Sequence, residues 1–218
     1  MTRVKTYAVK EIFYSLQGEG ARAGSANVFL RFAGCNLQCE PAVEGFLCDT
    51  DFKGGERMTL DQIMEAIEQA HASADGIPGV ILTGGEPALQ VTKKLVTRLR
   101  RSGYLVCMET NGMVPCSWAH EGEWINALDW VSCSPKAGRP PVIQVANEVR
   151  VVVGLGGRLD CQGIKADHYF ASPAFAGIET PGEATTVNPR VLGYVTGLCL
   201  EDPAWRLSVQ QHKVWGVR

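Results

Sequence analysis

The fold is indicated most strongly by one stretch, Asn27-Val-Phe-Leu-Arg-Phe-Ala-Gly-Cys-Asn-Leu-Gln-Cys39. In it, a short apolar run passes directly into closely spaced cysteines. We predict a first strand from Asn27 to Phe32, followed by a loop that carries Cys35, Cys39 and Cys48 with the spacing C-x3-C-x8-C. Three thiolates can ligate three irons of a four-iron, four-sulfur cluster and leave the fourth iron open to a small molecule.

Two other readings of these cysteines stay open on spacing alone. A structural zinc site requires four nitrogen or sulfur ligands, commonly in two close pairs. The other five of the eight cysteines are scattered, at Cys107, Cys116, Cys133, Cys161 and Cys199. Cys107 and Cys133 lie in apolar runs, where a cysteine is usually a small buried hydrophobe. A cluster is favoured over zinc or unligated thiols, but the spacing does not decide.

Composition limits the class of protein. The chain has 218 residues, 45% of them hydrophobic and 20% charged, so we expect residues 1–218 to form a single domain with a substantial core. The first residues contain no apolar segment typical of a signal peptide, and no run approaches the roughly 18 apolar residues of a membrane span. We therefore expect a cytoplasmic protein with reduced cysteines, and the net charge of −2 gives no reason to expect a nucleic-acid partner.

Short apolar runs alternate with amphipathic stretches, which is typical of repeated βα units. We predict helices over Thr59–His71, from the basic stretch after Pro87 to about Ser102, and from Asn188-Pro189 onward. The further predicted strands are Val80–Thr83, Tyr104–Glu109, Trp130–Cys133, Glu148–Val153, Tyr169–Ala171 and Leu207–Gln211. Residues 136–147 and 154–165 are read as long loops.

The predicted fold is α/β, an incomplete (β/α) barrel with a reduced core. Several predicted strands end in short polar motifs, and in α/β barrels the chemistry lies on the loops after the carboxyl ends of the strands. We expect Cys35, Gly84, Glu109 and Ser134 to converge on one rim.

Three of these motifs bear on ligand binding. Gly84-Gly85-Glu86-Pro87 permits close backbone approach to a ligand, and the Glu86 carboxylate can accept from an ammonium group. Glu109-Thr-Asn-Gly offers oxygen acceptors suited to a ribose, although Asn-Gly is also an ordinary turn. Ser134-Pro135-Lys136 is, on its own, only weak evidence for ligand binding. Each motif has a plain structural reading, and their order after C-x3-C is more specific than any one of them.

The sequence resembles the 7-carboxy-7-deazaguanine synthase (QueE) family of radical S-adenosylmethionine (SAM) enzymes. The resemblance rests on Glu11-Ile-Phe-Tyr-Ser-Leu-Gln-Gly-Glu-Gly20, Arg31, Ala33-Gly-Cys-Asn-Leu37 and Cys48-Asp-Thr50. It continues through Thr83-Gly-Gly-Glu-Pro87, Glu109-Thr-Asn-Gly112, Ser134-Pro-Lys136 and Trp205-Arg-Leu-Ser with Gln211-His-Lys213. The match spans nearly the whole chain, and residues 136–190 contribute little.

The resemblance implies a role for each matched residue. Cys35, Cys39 and Cys48 would ligate the cluster, and Thr50 would ligate a magnesium ion beside the substrate. The cofactor-binding set is Gly84, Gly85, Glu86, Glu109, Ser134, Pro135 and Lys136, and the substrate-binding set is Leu16, Gln17, Gly18, Arg31 and Thr83. The expected reaction converts 6-carboxy-5,6,7,8-tetrahydropterin to 7-carboxy-7-deazaguanine, with loss of ammonia, after SAM is cleaved to a 5′-deoxyadenosyl radical.

The resemblance also implies partners: a flavodoxin or ferredoxin as electron donor, and a second copy of the chain in a homodimer. Two alternatives remain, a radical-SAM activase acting on a partner protein and a non-catalytic module holding zinc or a cluster.

The chain departs from the family in two places. The interval from Cys39 to Cys48 is longer than the usual two residues, and we hypothesise that it docks the electron donor. Ala171–Phe175 replaces a more polar segment, and no SAM contact is assigned there.

Overall fold

A computed structural model describes residues 4–39, 44, 46, 48–116, 127–175 and 187–218. Nine strands form one open sheet in the order β3-β1-β2-β4-β5-β6-β7-β8-β9. Their bounds are β1 Thr6–Leu16, β2 Ala26–Phe32, β3 Glu56–Thr59, β4 Gly79–Gly84, β5 Leu105–Thr110, β6 Trp130–Cys133, β7 Val145–Val153, β8 Lys165–Pro173 and β9 Trp205–Leu207.

The direction of the strands sets where chemistry can occur. β1 pairs antiparallel with β2 and with β3, whereas every pair from β2–β4 through β8–β9 is parallel. The carboxyl ends of seven strands therefore meet along one rim. β3 and β9 lie at opposite edges of the sheet, which confirms the predicted incomplete barrel.

The helices are α1 Leu60–Ala70, α2 Lys93–Arg101, α3 Pro189–Glu201 and α4 Gln211–Trp215. The first three cover one face of the sheet and contribute buried side chains to the main core, whereas α4 contributes none. Thr59 caps α1 in a capping box with Gln62, as predicted, and Asn188 caps α3. A second, smaller apolar cluster lies on the other face of the sheet and consists of the cross-strand neighbours Phe13, Phe29, Ile81 and Cys107. It forms an apolar floor beneath the rim.

Three parts of the chain differ from the sequence-based prediction. Asn27–Phe32 lies in β2 and is not the first strand, because β1 precedes it, and β3 was not predicted. The predicted strand Leu207–Gln211 is wrong, since β9 ends at Leu207 and Gln211 begins α4. The enlarged interval after Cys39 lies largely outside the described residues. Among the described residues, no helix is long and apolar enough to cross a membrane.

Candidate active site

The rim motifs surround a cavity of about 190 Å³, here called the cysteine cavity. Cys35 follows β2, Gly84 ends β4, Glu109 lies near the end of β5 and Ser134 follows β6, and all four line it. The structure thus brings together the four positions that strand order alone placed on one rim.

Three thiols face this cavity. Cys35, Cys39 and Cys48 line it, and no other cysteine of the described residues does so. In the described part of the chain, no group of three histidine, cysteine, aspartate or glutamate side chains is arranged around a single metal ion. Three thiols spread around a cavity with no fourth fit a four-iron cluster that keeps one iron open.

Two of the three cysteines, Cys35 and Cys39, hold their protons more firmly than an ordinary thiol. Burial raises the pKa of Cys35 and of Cys39 above the ordinary thiol value. The backbone N–H of Leu37 donates to Cys35 Sγ at 3.4 Å, a contact that favours the thiolate. Ligation of iron requires the thiolate, so assembly of the cluster releases these protons.

Two glycines form one wall of the cysteine cavity with their backbone. Gly84 and Gly85 both line it. Gly85 N–H donates to the Phe32 carbonyl at 3.1 Å, and a Cβ at Gly85 would collide with the Gly34 carbonyl oxygen. The β2 and β4 loops therefore lie backbone to backbone, and only glycine allows this approach. Peptide groups, rather than side chains, border the ligand space on this wall.

Glu86 differs from its expected role. Its carboxylate is fully buried and accepts from Ala88 N–H at 2.9 Å, Thr110 Oγ1 at 2.7 Å and Asn111 N–H at 2.7 Å. Burial raises the pKa of Glu86, although these hydrogen bonds oppose the shift. The side chain does not line the cavity, so instead of facing a ligand ammonium group it ties the β4 loop to the end of β5.

The opposite wall comes from β6 and β8. Ser134 and Lys136 line the cavity, and Lys136 Nζ donates to Ser134 Oγ at 2.9 Å, whereas Pro135 is buried and does not border it. Sequence reasoning assigned nothing to the end of β8, yet Ser172 and Phe175 also line this cavity. Ser172 Oγ is buried and has no hydrogen-bond partner among the residues that the structure describes, and a ligand in the cavity would supply one.

A second cavity of about 430 Å³ adjoins the first and is here called the Arg31 cavity. The structure places all five residues of the predicted substrate set in its lining, namely Leu16, Gln17, Gly18, Arg31 and Thr83. Phe13 and Phe29 of the apolar floor also line it, and their rings stack with their centres 5.1 Å apart. Its wall is completed by α4 and the residues that follow it.

The two cavities meet at a set of residues that line both, here called the junction residues. They are Glu19, Asp49, Thr50, Thr83, Glu109 and Gln210. Thr50, the predicted magnesium ligand, is therefore at the boundary between the cysteines and Arg31. Ligands in the two cavities would contact each other at this boundary.

Arg150 of β7 organises the junction. Its guanidinium donates to Glu109 Oε1 at 2.6 Å, Glu19 Oε2 at 2.8 Å and Ser132 Oγ at 2.6 Å, and Glu148 Oε1 lies 3.3 Å from its Nε. Only 7% of Arg150 is exposed. One buried cation thus links the loop after β1 to strands β5, β6 and β7.

The two junction carboxylates on Arg150 have opposite pKa shifts. Burial alone would raise the pKa of Glu109, but the Arg150 charge and hydrogen bonds from Thr83 and Gln17 outweigh it and lower the pKa. For Glu19, burial dominates over Arg150 and raises the pKa. Glu109 is thus held as a carboxylate, with its oxygens on protein donors, while Glu19 more readily keeps a proton.

Arg31 presents a partly neutralised charge to its cavity. Nη1 pairs with Glu11 Oε1 at 2.7 Å, while the buried Nε has no hydrogen-bond partner in the described part of the chain. The buried Lys213 Nζ lies 3.6 Å from Asp49 Oδ2 and 4.1 Å from the centre of the Phe175 ring, and no described residue accepts a hydrogen bond from it. Two half-buried cationic side chains therefore border this cavity, and they suit a ligand that carries a carboxylate.

His212 packs against the loop after β1. A Cβ at Gly18 would collide with the His212 ring, so glycine is required for this close approach. Burial, with a smaller contribution from Lys213, lowers the pKa of His212. The Arg31 cavity therefore contains a neutral imidazole near pH 7.

Comparison with known proteins agrees with this arrangement. A family model described as a 4Fe-4S single cluster domain matches residues 16–132. A 7-carboxy-7-deazaguanine synthase of Bacteroides thetaiotaomicron is 37% identical over 96% of this chain and 98% of its own length. Those of Burkholderia multivorans and Nitratidesulfovibrio vulgaris are 36% and 38% identical, covering 95% and 97% of this chain and 97% and 99% of their own lengths.

A solved structure has the same fold. The crystal structure of QueE from Escherichia coli superposes with a TM-score of 0.64 and covers 94% of each chain, at 22% sequence identity. At this identity the similarity concerns the architecture alone.

Proposed function

The chain belongs to the 7-carboxy-7-deazaguanine synthase family, and from this premise we infer that it is a radical-SAM lyase. It converts 6-carboxy-5,6,7,8-tetrahydropterin to 7-carboxy-7-deazaguanine with loss of ammonia, a step toward queuosine and related 7-deazapurines. The observation that carries this function is the meeting of two cavities, one lined by three cysteines and one lined by the cationic side chains of Arg31 and Lys213.

The cysteine cavity fits the cofactors. Cys35, Cys39 and Cys48 would hold the cluster, and SAM would lie between the glycine wall and Ser134 with Lys136. Ser172 Oγ, which is buried and unpartnered, adds a donor on that side. When bound, the cluster and SAM supply a carbon-centred radical that takes a hydrogen atom from the substrate. The chain itself supplies orientation and excludes water.

The Arg31 cavity would orient the substrate. The free Nε of Arg31 and Lys213 Nζ suit its carboxylate, since charge-assisted hydrogen bonds are short and directional. Glu109 keeps Thr83 and Gln17 in place, with Thr83 Oγ1 donating to its Oε2 at 2.7 Å. The apolar floor below excludes water. These residues hold the substrate at the boundary with the cysteine cavity.

We also propose magnesium as a cofactor held by Thr50. Magnesium prefers oxygen ligands and keeps several from substrate and water, so one protein hydroxyl is sufficient. Thr50 lies at the junction, where the other oxygen-bearing side chains include Asp49.

The proposed partners follow from the reaction and the family. Reduction of the cluster needs a one-electron donor, a flavodoxin or ferredoxin. We propose a homodimer on the family resemblance, and a single domain because one sheet contains strands from Thr6 to Leu207.

The test is an anaerobic assay of reconstituted protein with dithionite, SAM, magnesium and 6-carboxytetrahydropterin, read by mass spectrometry. We expect 7-carboxy-7-deazaguanine. If SAM is cleaved but the pterin survives, the substrate assignment is wrong. If neither reacts although the cluster is present, the proposed function is wrong. Omission of magnesium tests the proposed ion, since turnover that does not change would exclude it.

A further inference from the structure

A groove of about 690 Å³ lies on the outer side of the cysteine loop and is here called the basic groove. Its lining includes Lys5, Lys53, Arg57, Cys35, Phe52 and Leu89. It is distinct from both cavities of the active site, and neither the cofactor nor the substrate assignment uses its charged residues.

The basic groove reaches a cluster ligand from outside. Cys35 and Phe52 line both the groove and the cysteine cavity, so the same loop forms the wall between them. A cluster held by Cys35 would therefore lie directly behind the inner end of the groove. Because electron transfer slows steeply with distance, this is a favourable place for a reductant to approach.

The groove is formed by hydrogen-bonded backbone. Gly34 N–H donates to the Phe52 carbonyl at 2.8 Å, and Ala33 N–H donates to the Ala8 carbonyl at 2.9 Å. The Gln90 amide links β1 and the β2 loop, donating to the Ala33 carbonyl at 2.7 Å. A surface that is already ordered loses little conformational entropy when a partner binds.

The charge of the groove is opposite to that of the whole chain. Lys5, Lys53 and Arg57 are exposed, and none of the described residues that line the groove is acidic, although the chain carries a net charge of −2. Just outside, Lys10 and Asp51 pair at 2.6 Å and neutralise each other. Leu89, 48% exposed, adds an apolar contact at the edge.

We propose that the basic groove is the docking surface for an acidic one-electron carrier protein, a proposal that rests on the proposed function. The cationic rim attracts and orients a negative partner, and Leu89 gives it an apolar contact. In the docked complex one electron passes from the reduced carrier to the cluster held by Cys35. The carrier is oxidised by one electron and the cluster is reduced by one. The groove thus supplies the electron route that the enlarged cysteine interval was expected to supply.

The test is a charge-reversed double variant, Lys53→Glu with Arg57→Glu. The matched control is Arg98→Glu with Arg101→Glu, which makes the same charge change in the last turn of α2. A flavodoxin is the probe. We expect flavodoxin-driven turnover of the groove variant to fall by about tenfold or more at low salt. Dithionite-driven turnover of the same variant should match the wild type, because the small reductant needs no docking surface.

Binding gives a readout independent of catalysis. The dissociation constant for oxidised flavodoxin, measured by flavin fluorescence on the reconstituted, cluster-containing protein under anaerobic conditions, should rise by about tenfold in the groove variant and not in the control. Added salt should weaken binding by the wild type and affect the groove variant less.

Wild-type affinity in the groove variant, or an equal loss in the control, would overturn the proposal. A loss of dithionite-driven turnover equal to the loss of flavodoxin-driven turnover would also overturn it, since the variant would then be defective in chemistry. If the wild type makes no product with dithionite, the proposed function is wrong, while the binding comparison still decides whether an acidic carrier docks in the groove.

Discussion

Burial of an arginine costs free energy unless its N–H groups are hydrogen-bonded. The guanidinium of Arg150 donates hydrogen bonds to the carboxylates of Glu19 and Glu109 and to the hydroxyl of Ser132. Its position could not be predicted from the sequence, where Glu148–Val153 was read simply as a strand. A signal was present: a Glu and an Arg two residues apart in a central parallel strand face the same side, where burial requires partners. Which partners they have depends on long-range pairing that single-sequence patterns do not contain.

Replacement of Arg150 by methionine should destabilise the fold strongly. The change leaves Glu19, Glu109 and Glu148 without their cation, and removal of one partner from a buried ion pair costs roughly 3–5 kcal/mol. The free energy of unfolding from urea denaturation measures this. Arg150→Lys, which keeps the charge and loses the fork of donors, should lose less. A methionine variant as stable as the wild type would contradict the proposed role.

Replacement of Arg31 by alanine should abolish pterin turnover and leave cluster assembly intact. Arg31 lines the second cavity with an unpartnered buried donor, whereas none of the three cysteines lines that cavity. Loss of a buried charged partner costs roughly 2–5 kcal/mol, which corresponds to about 30-fold or more in turnover. Iron and sulfide analysis provides the control, and Arg31→Lys should retain part of the activity. Normal turnover in the alanine variant would remove the assigned role.

His212 should make stability depend on pH below its ordinary pKa of 6.5. Its folded-state pKa is lowered, so the unfolded chain takes up the proton first as the pH falls. The stabilising contribution is thus fully present above pH 6.5 and is lost as the pH falls from there toward the folded pKa. Unfolding measured at several pH values should show a weaker slope in this window for His212→Asn. An unchanged slope would argue against the burial of the ring.

At the scale of elements, local signals predicted most of the fold. Four elements were predicted from signals that depend only on residues adjacent in sequence. These signals are the capping box at Thr59, the Asn188-Pro189 start of α3 and the apolar runs of β4 and β6. The incomplete barrel followed from strands that alternate with helices and end in polar motifs.

Several elements were missed or misassigned, and for two of them, β1 and β9, the reason is identifiable. β1 contains a register shift between Val9 and Glu11, which interrupts the alternation that marks a strand. β9 has only three residues, so its pattern is too short to separate from the α4 helix that follows. Gly216, in the left-handed conformation at the end of α4, was an available sign of a helix end there.

Two loop substitutions should separate the two cavities. In Gly18→Ala the new Cβ meets the His212 ring, so the Arg31 cavity should be distorted and the Michaelis constant for the pterin raised. In Gly85→Ala the Cβ meets the Gly34 carbonyl oxygen beside Cys35, so cluster content should fall. Iron analysis and turnover on both variants test this assignment. Equal loss of iron in both would contradict it.

At the scale of the whole molecule, the core and the cluster ligands are separate. The buried core packs between the sheet and the helices and contains neither Cys35, Cys39 nor Cys48. Hydrophobic burial, which dominates folding stability, therefore does not depend on the cluster. Oxidative removal of the cluster should abolish turnover while circular dichroism retains the native helix and strand content. Global unfolding on removal would show that the cluster is needed for the fold.

The junction residues have a consequence for how the two small molecules influence each other. The same carboxylates and hydroxyls would contact both ligands. Binding of one ligand therefore changes the position of groups that the other ligand contacts, so the affinities for SAM and for the pterin are coupled. Thermodynamic linkage then requires reciprocity: whatever factor SAM applies to the dissociation constant of the pterin, the pterin applies to that of SAM. A substitution at Thr83 or Glu109 that alters the affinity for one ligand will therefore also alter the affinity for the other. These two positions consequently have little freedom to change during evolution.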